Sequence, residues 1–210
     1  MILVLLAAVV AAQATPVPHV CVVVAPGEHR PEFGCFRIGA SKGLIFNEPQ
    51  IYWHLQIFPS RAAAEAVKTS RGVVVEEGGK GWLSEFGPKD RVSRGGRSIA
   101  VVGPLTLIPG KRYDAEIAYS VMGPDDHSRA HTHSGPEAWF VLTGAQCLDT
   151  PGGTTRAHAG ETMTVAAGGP MELSVIGNEV AKSMILVIHD STQDFGSASD
   201  WKPIGGCRAK

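Results

Sequence analysis

Apolar and polar residues alternate along several short stretches of the first half of the chain. Residues 51–57 place Trp53 and Leu55 among the apolar positions of one side, and this two-residue period predicts a strand with one buried face. The opposite side carries His54, for which we favour a solvent-exposed position over a place in a pocket. A short β-type run at residues 20–25, closed by Pro26-Gly27, precedes this strand.

A helix and a hairpin are predicted next. Ser60 precedes an alanine-rich run over residues 61–69 and has the side chain of an N-cap. A Gly78-Gly79 turn separates two apolar runs, at residues 73–75 and 81–86. These elements predict an α+β segment over residues 15–95.

From residue 97 onward the pattern is that of strands alone. Runs at residues 98–108, 113–122, 139–143 and 161–167 are separated by turn residues. The apolar run at residues 184–189 is typical of a strand that is covered on both sides. Short strands at this spacing predict a sandwich or barrel over residues 96–190. The charged, glycine-rich residues 87–96 are either a linker before this domain or a long loop, and a polar tail covers residues 191–210.

Composition narrows the classes of function. The chain has 25 glycines and 14 prolines, as expected of a turn-rich β protein, and its 19 basic and 20 acidic residues nearly balance. No run of lysine and arginine stands out, so we expect neither a nucleic-acid surface nor a polybasic membrane surface. No G-x-S-x-G, P-loop or G-x-G-x-x-G motif is present, so nothing supports a nucleotide cofactor.

The N-terminal residues have the pattern of an export signal. Residues 1–10 are apolar, and Ala12-Gln13-Ala14 is a small-residue cleavage site. The run is too short to span a bilayer. We therefore expect a signal peptide over residues 1–14, a mature chain from Thr15, and a secreted or periplasmic protein.

The four cysteines fit none of the paired spacings of metal sites. In an exported protein, an even number suggests two disulfides. Proximity along the chain favours one pairing among three, and free buried thiols are the alternative. The favoured pairs are Cys21 with Cys35 and Cys147 with Cys207.

The most informative stretch is residues 131–137, which combines two imidazoles and a carboxylate. His131 and His133 are two positions apart, so in a strand both point to the same face. The Ser-Gly-Pro step after them is turn chemistry, which can bring Glu137 back from an adjoining strand. Two nitrogens and one oxygen predict a site for iron, manganese, zinc, nickel or copper.

These residues resemble the first motif of the cupin family. That motif reads Gly, five residues, His-x-His, three or four residues, Glu, six residues, Gly, and the stretch from His131 through Glu137 to Gly144 fits it. Asp125 stands at the position of the opening glycine. The resemblance is specific over about residues 106–190 and implies a double-stranded β-helix, or jelly roll, with a single site.

The second cupin motif is degenerate in this chain. Gly160 and Gly168 keep their positions, but Met171 stands where the family has its histidine. A thioether is a poor ligand for iron, manganese or zinc, so we favour Met171 as a filler of the barrel interior. His189 could replace the missing ligand if it faced the interior, although a hydrogen-bonded core imidazole is the more common outcome.

The resemblance leaves two functions open. In the first, the metal centre belongs to an oxygenase- or isomerase-type enzyme that acts on a small molecule, and Trp139 lines the pocket. In the second, the barrel binds a small ligand such as a sugar or an organic acid without catalysis, with a structural metal or none. We allow for a homodimer in either case.

Overall fold

A computed structural model describes residues 21–25, 27–92 and 94–207. The expected signal peptide and the Thr15 start lie outside these residues. The described chain forms one short helix, α1 (Arg61–Glu65), and strands that run in the following order. They are β1 (Val22–Val23), β2 (Gly34–Ile45), β3 (Gln50–Phe58), β4 (Gly72–Glu77), β5 (Lys80–Gly87), β6 (Arg97–Thr106), β7 (Arg112–Met122), β8 (His131–Thr132), β9 (Glu137–Thr143), β10 (Ala145–Thr150), β11 (Gly153–His158), β12 (Thr162–Val165), β13 (Glu172–Val175), β14 (Ala181–Asp190) and β15 (Ser197–Ala198).

A six-stranded sheet and a three-stranded sheet enclose the barrel interior. The first has the order β1-β2-β7-β14-β9-β12 and the second the order β11-β10-β13. Alternate residues of β7, β9 and β14 point into the space between the sheets, where Trp139 and Ile185 pack against Leu148 and Leu173 of the smaller sheet. The fold is thus mostly β and has the jelly-roll form, as predicted.

A four-stranded sheet, in the order β4-β5-β3-β6, covers the other face of the six-stranded sheet. Trp53 and Phe86 from this sheet pack against Ile117 and Leu186 of the central one. Strand β14 therefore has apolar neighbours on both faces, which confirms the prediction drawn from the apolar run at residues 184–189. Burial on both faces explains why this run does not alternate with polar residues.

Two predictions about the first half need correction. His54 is buried rather than solvent-exposed, because the segment after β5 crosses over β3 and the Pro88 carbonyl lies 2.8 Å from His54 Nε2. Burial lowers the pKa of His54, although the Pro88 carbonyl opposes the shift. The helix ends at Glu65 instead of Thr69, while Ser60 caps it as predicted, accepting a hydrogen bond from the Ala63 N–H.

Strands from both sides of residues 95 and 96 pair in the same sheets. Strand β2, from the N-terminal segment, pairs with β7 in the central sheet, and β6, from the C-terminal segment, pairs with β3. Residues 88–96 connect β5 to β6 across β3. The two segments therefore share both sheets.

Two disulfides fasten the ends of the described chain to its body. They join Cys21 to Cys35 and Cys147 to Cys207, so all four cysteines are bonded. The first ties β1 to β2, and the second ties the C-terminal tail to β10 of the small sheet. Within the described residues, no helix is both long enough and apolar enough to cross a membrane.

Candidate metal centre

The chain brings the two imidazoles and the carboxylate together through a tight turn between β8 and β9. His131 begins β8, His133 follows it, and Glu137 begins β9. At Gly135, in the turn, an added Cβ would lie 1.8 Å from the Ile188 carbonyl oxygen. Only a glycine lets the turn pack this closely on β14, and this packing places Glu137 next to the histidines.

The three side chains converge on one point. One ligand atom from each of His131, His133 and Glu137 lies within 4.8 Å of the others, and no other such group of histidine, cysteine or acidic side chains occurs in the described part of the chain. His131 Nε2 is 3.9 Å and His133 Nε2 is 3.0 Å from Glu137 Oε2. All three residues are between 3% and 7% exposed.

Glu137 Oε2 is the atom that argues most directly for a cation. It is buried and has no hydrogen-bond partner among the described residues. Its 3.0 Å contact with His133 Nε2 is favourable only when that nitrogen carries a proton, because two acceptor atoms otherwise face each other. A buried, unpaired carboxylate oxygen is costly, and an ion bound between it and the two Nε2 atoms would remove this cost. The donor set therefore fits a divalent metal.

Backbone carbonyls orient both imidazoles for ligation. The carbonyl of Arg129 lies 2.9 Å from His131 Nδ1, and that of Phe195 lies close to His133 Nδ1. A carbonyl can only accept, so each Nδ1 carries the proton and each Nε2 keeps its lone pair for a ligand. This is the arrangement in which a histidine binds a metal through Nε2.

The pKa of His133 depends on the same neighbouring groups. Burial alone would lower the pKa of His133, but the Glu137 carboxylate and the Phe195 carbonyl outweigh it and hold the pKa above the usual value of a histidine. The side chains thus favour a positive charge at this position. A bound cation would supply that charge without a proton.

Met171 lies beside the site at the position that the sequence predicted. It pairs with His131 as an isolated antiparallel bridge before β13. Directly opposite residues of such a pair point to the same face, and Met171 is 1% exposed and packs in the interior core. It therefore fills interior space next to His131.

Two further predicted pocket residues also face the interior. Trp139 lies two positions after Glu137 on the same face of β9, and its buried indole N–H has no partner among the described residues. His189 is not part of the three-residue group. Its Nε2 lies 3.3 Å from Glu116 Oε1 and its Nδ1 is 3.1 Å from the Asp190 carbonyl oxygen. His189 is thus a hydrogen-bonded core imidazole.

The polar network around His189 was not predicted from the sequence. Arg37 of β2 forms two hydrogen bonds with Glu116 of β7, and Glu116 is 5% exposed. Burial raises the pKa of Glu116, but hydrogen bonds from His189 and Arg37 outweigh it and hold this pKa below the usual range. The available signal was a charged residue at an interior-facing position in each of two strands.

Phe195 is the second feature that sequence reasoning missed. It lies in the polar tail but is 7% exposed, and it packs with the interior core residues. The ring centroid is 5.0 Å from that of His133 and 6.0 Å from that of His189, and the Arg37 guanidinium lies 4.6 Å above the ring. An isolated aromatic residue within a polar segment was the only signal.

Asp125 preserves a backbone feature of the first motif. Its φ of 64° makes it the one non-glycine residue with a positive φ in the described parts of the chain. Aspartate tolerates this left-handed conformation better than most side chains. The position of the motif's opening glycine therefore keeps the backbone conformation that glycine favours.

Comparisons with known proteins give structural neighbours only. No family model matches the sequence, and no curated protein matches it. An oxalate oxidase structure is similar at 17% identity and a TM-score of 0.33, over 37% of this chain and 42% of that one. The chain thus spans less than half the length of that structure.

Two of the similar structures are cupins by name. A cupin superfamily protein from Desulfitobacterium hafniense shares 10% identity, with a TM-score of 0.34, over 41% of this chain and 74% of that one. A cupin 2 conserved barrel domain protein from Salinispora arenicola shares 23% identity, with a TM-score of 0.34, over 37% of this chain and 65% of that one. Likenesses at these TM-scores carry no conclusion about chemistry, which depends on the site itself.

Proposed function

We propose that this protein is an exported, cupin-type protein that binds one divalent metal ion through His131, His133 and Glu137. The observation that carries the proposal is the buried Glu137 Oε2, which lies 3.9 Å from His131 Nε2 and 3.0 Å from His133 Nε2 and has no other partner among the described residues. Nitrogen and oxygen donors of this kind suit iron, manganese, zinc, nickel or copper.

The leading function is an enzyme of the oxygenase or isomerase type with a small-molecule substrate. A metal in such a site acts as a Lewis acid or activates oxygen. The chain contributes the ligands, two carbonyls that fix the tautomers of His131 and His133, and a set of buried side chains around them. The unpartnered indole N–H of Trp139 is available to hydrogen-bond a bound substrate.

The second candidate is a non-catalytic protein that binds a small ligand around a structural metal. Two observations favour it. Met171 occupies the place of the fourth family ligand, and the Phe195 ring packs 5.0 Å from the His133 ring. Both reduce the space around the metal that a reaction needs.

Metal analysis of protein purified without a histidine tag tests the proposal. We expect close to one equivalent of metal in the native protein, and His133→Ala should weaken binding by more than about 100-fold because it removes a ligand rather than a supporting contact. His158→Ala, at an exposed histidine of β11, is the matched control and should bind like the native protein. Equal metal content in His133→Ala would refute the site.

The identity of the metal separates the two candidate functions. A redox-active metal held through dialysis favours the enzyme, since oxygen activation requires one. Zinc held through dialysis favours the binding protein or an isomerase, which turnover of candidate substrates would then distinguish. Absence of any bound metal after supplementation would reject the proposal.

Export is part of the proposal. The two disulfides support it, because such bonds persist in oxidising compartments. Intact-mass measurement of protein from its own host should give an N-terminus at or near Thr15. A soluble cytoplasmic protein that retains Met1 would contradict it.

A further inference from the structure

The C-terminal segment, residues 191–207, runs across the end of the barrel that holds the candidate metal centre. Asp190 holds the start of the segment. Its carboxylate accepts two hydrogen bonds from Thr192 and forms an ion pair with Lys111. At its far end, Cys207 is bonded to Cys147. The segment is therefore attached at two points, with the metal centre beneath the part between them.

Between these points the segment touches the ligands directly. Strand β15 pairs with β8, so that Ala198 lies opposite His131. The Phe195 carbonyl accepts the Nδ1 proton of His133, and the Phe195 ring packs edge-on against the same imidazole. At Gly196, an added Cβ would lie 2.8 Å from Cε1 of His133. One wall of the site is thus made by this segment.

Phe195 is buried, but between residues 194 and 205 the segment makes few backbone hydrogen bonds to the barrel. The β15 pairing contains only two residue pairs, and one further backbone bond joins the Ser199 N–H to the Ala130 carbonyl. A groove of about 480 Å³ runs along the seam, and it is lined on the barrel side by His133 and Gly168 and on the segment side by Gln193 and Gly196. Few backbone bonds and a groove beside them are features of an element that opens locally.

We propose that residues 191–207 form a tethered lid of the metal centre, in which Phe195 is a positioning residue for His133 and the Cys147–Cys207 bond is the tether. This inference rests on the proposed metal function. Lifting the lid removes the carbonyl that holds His133 in its ligand tautomer and opens a path to the metal ion. With the tether intact, the segment stays over the site, and bound metal leaves slowly.

Metal exchange tests the lid. Co²⁺ is loaded into each protein, excess EDTA is added, and the loss of the Co²⁺ absorbance is followed. Cys147→Ser/Cys207→Ser and Phe195→Ala should each lose Co²⁺ about tenfold or more faster than the native protein, which is the scale on which supporting contacts alter metal binding. Phe195→Leu keeps a large apolar side chain at this position, so it should lose Co²⁺ at a rate close to that of the native protein.

Matched controls separate the lid from general destabilisation. Cys21→Ser/Cys35→Ser removes the other disulfide, and Ile204→Ala changes an exposed residue of the same segment. Both should exchange Co²⁺ at the native rate. The circular dichroism of each variant is checked at the assay temperature, so that only folded protein is compared. A native rate in either the tether variant or Phe195→Ala overturns the lid.

Hydrogen–deuterium exchange provides a readout without metal. Removing the tether should accelerate exchange at the amides of residues 192–199 and leave those of β7 and β14 unchanged. No acceleration at residues 192–199 overturns the lid whatever the metal result. Failure of the native protein to bind Co²⁺ instead contradicts the proposed function, so the two failures are distinguishable.

Discussion

His131 and Met171 lie directly opposite each other, joined by two backbone hydrogen bonds with N–O distances of 3.0 and 2.9 Å. Residues paired in this way have side chains on the same face, roughly 5 Å apart at Cβ. The thioether thus stands next to a candidate ligand. The backbone pairing at this position therefore does not depend on the chemistry of the side chain at residue 171.

Met171→His is expected to tighten metal binding. It would offer a fourth nitrogen beside His131, and the affinity should rise by about tenfold or more, since even supporting contacts change metal affinity on this scale. Calorimetric titration with Zn²⁺ measures it. Met163→His, at a buried methionine of the same core that does not pair with His131, is the control. Equal affinities in Met171→His and the native protein would show that residue 171 does not reach the ion.

Gly135→Ala should destroy the turn that places Glu137. The added methyl group would lie 1.8 Å from the Ile188 oxygen and 2.8 Å from its carbonyl carbon, and both are backbone atoms of a central strand. We expect a loss of roughly 3 kcal/mol or more of unfolding free energy, within the range of severe substitutions. Urea denaturation checks this. Gly152→Ala, where the new Cβ would meet only the Thr150 hydroxyl at 3.7 Å, should be nearly neutral.

Acid should weaken the fold partly through Glu116. Its pKa is held below the usual value by His189 and Arg37 in spite of burial, so the folded state binds this proton less tightly than the unfolded chain. The resulting stabilisation is complete above the unfolded pKa of about 4.3 and is lost as the pH falls through the lower pKa of the folded state.

The variant Glu116→Gln tests the direction of this pH dependence of stability. The variant should be less stable than the native protein at neutral pH, and the difference should shrink as the pH falls below about 4.3. Unfolding free energies from urea titrations at several pH values give the comparison. Glu32→Gln, at an exposed site, serves as the control. A difference that stays constant into acid would contradict the role of Glu116.

The two disulfides should differ in their contribution to stability. The Cys21–Cys35 bond closes 14 residues and the Cys147–Cys207 bond closes 60. Loop entropy then gives about 3 kcal/mol for the first and about 4 kcal/mol for the second. Urea denaturation of the two double serine variants measures these values. Thiol titration of the unfolded, unreduced protein should find no free thiol; four thiols would contradict both bonds.

Much of the site could be predicted because its residues are close together in the sequence. The spacing of His131 and His133 determines that they share a face, and a turn of three residues leaves few places for Glu137. Such local relationships need no knowledge of the rest of the fold. The apolar run of β14 was equally informative, since a strand covered on both faces has no polar side to interrupt it.

The parts that sequence analysis missed depend on distant segments. His54 has the alternation of an exposed position, and only the passage of the chain over β3 buries it. Arg37 and Glu116 are 79 residues apart, and their pairing depends on the register of β2 with β7. Phe195 packs against His133, 62 residues earlier, and this contact depends on the path of the C-terminal segment. All three features depend on contacts between segments that are far apart in the sequence.

The sharing of sheets between the two halves has a practical consequence for dissecting the protein. Without β2, the jelly roll loses a strand of its central sheet, and without β3, β6 has no partner. Neither half can bury the apolar side chains that meet between the central and four-stranded sheets. A chain cleaved between residues 88 and 92 should therefore behave as a split protein: each fragment alone remains unfolded, and mixing them restores the fold by complementation.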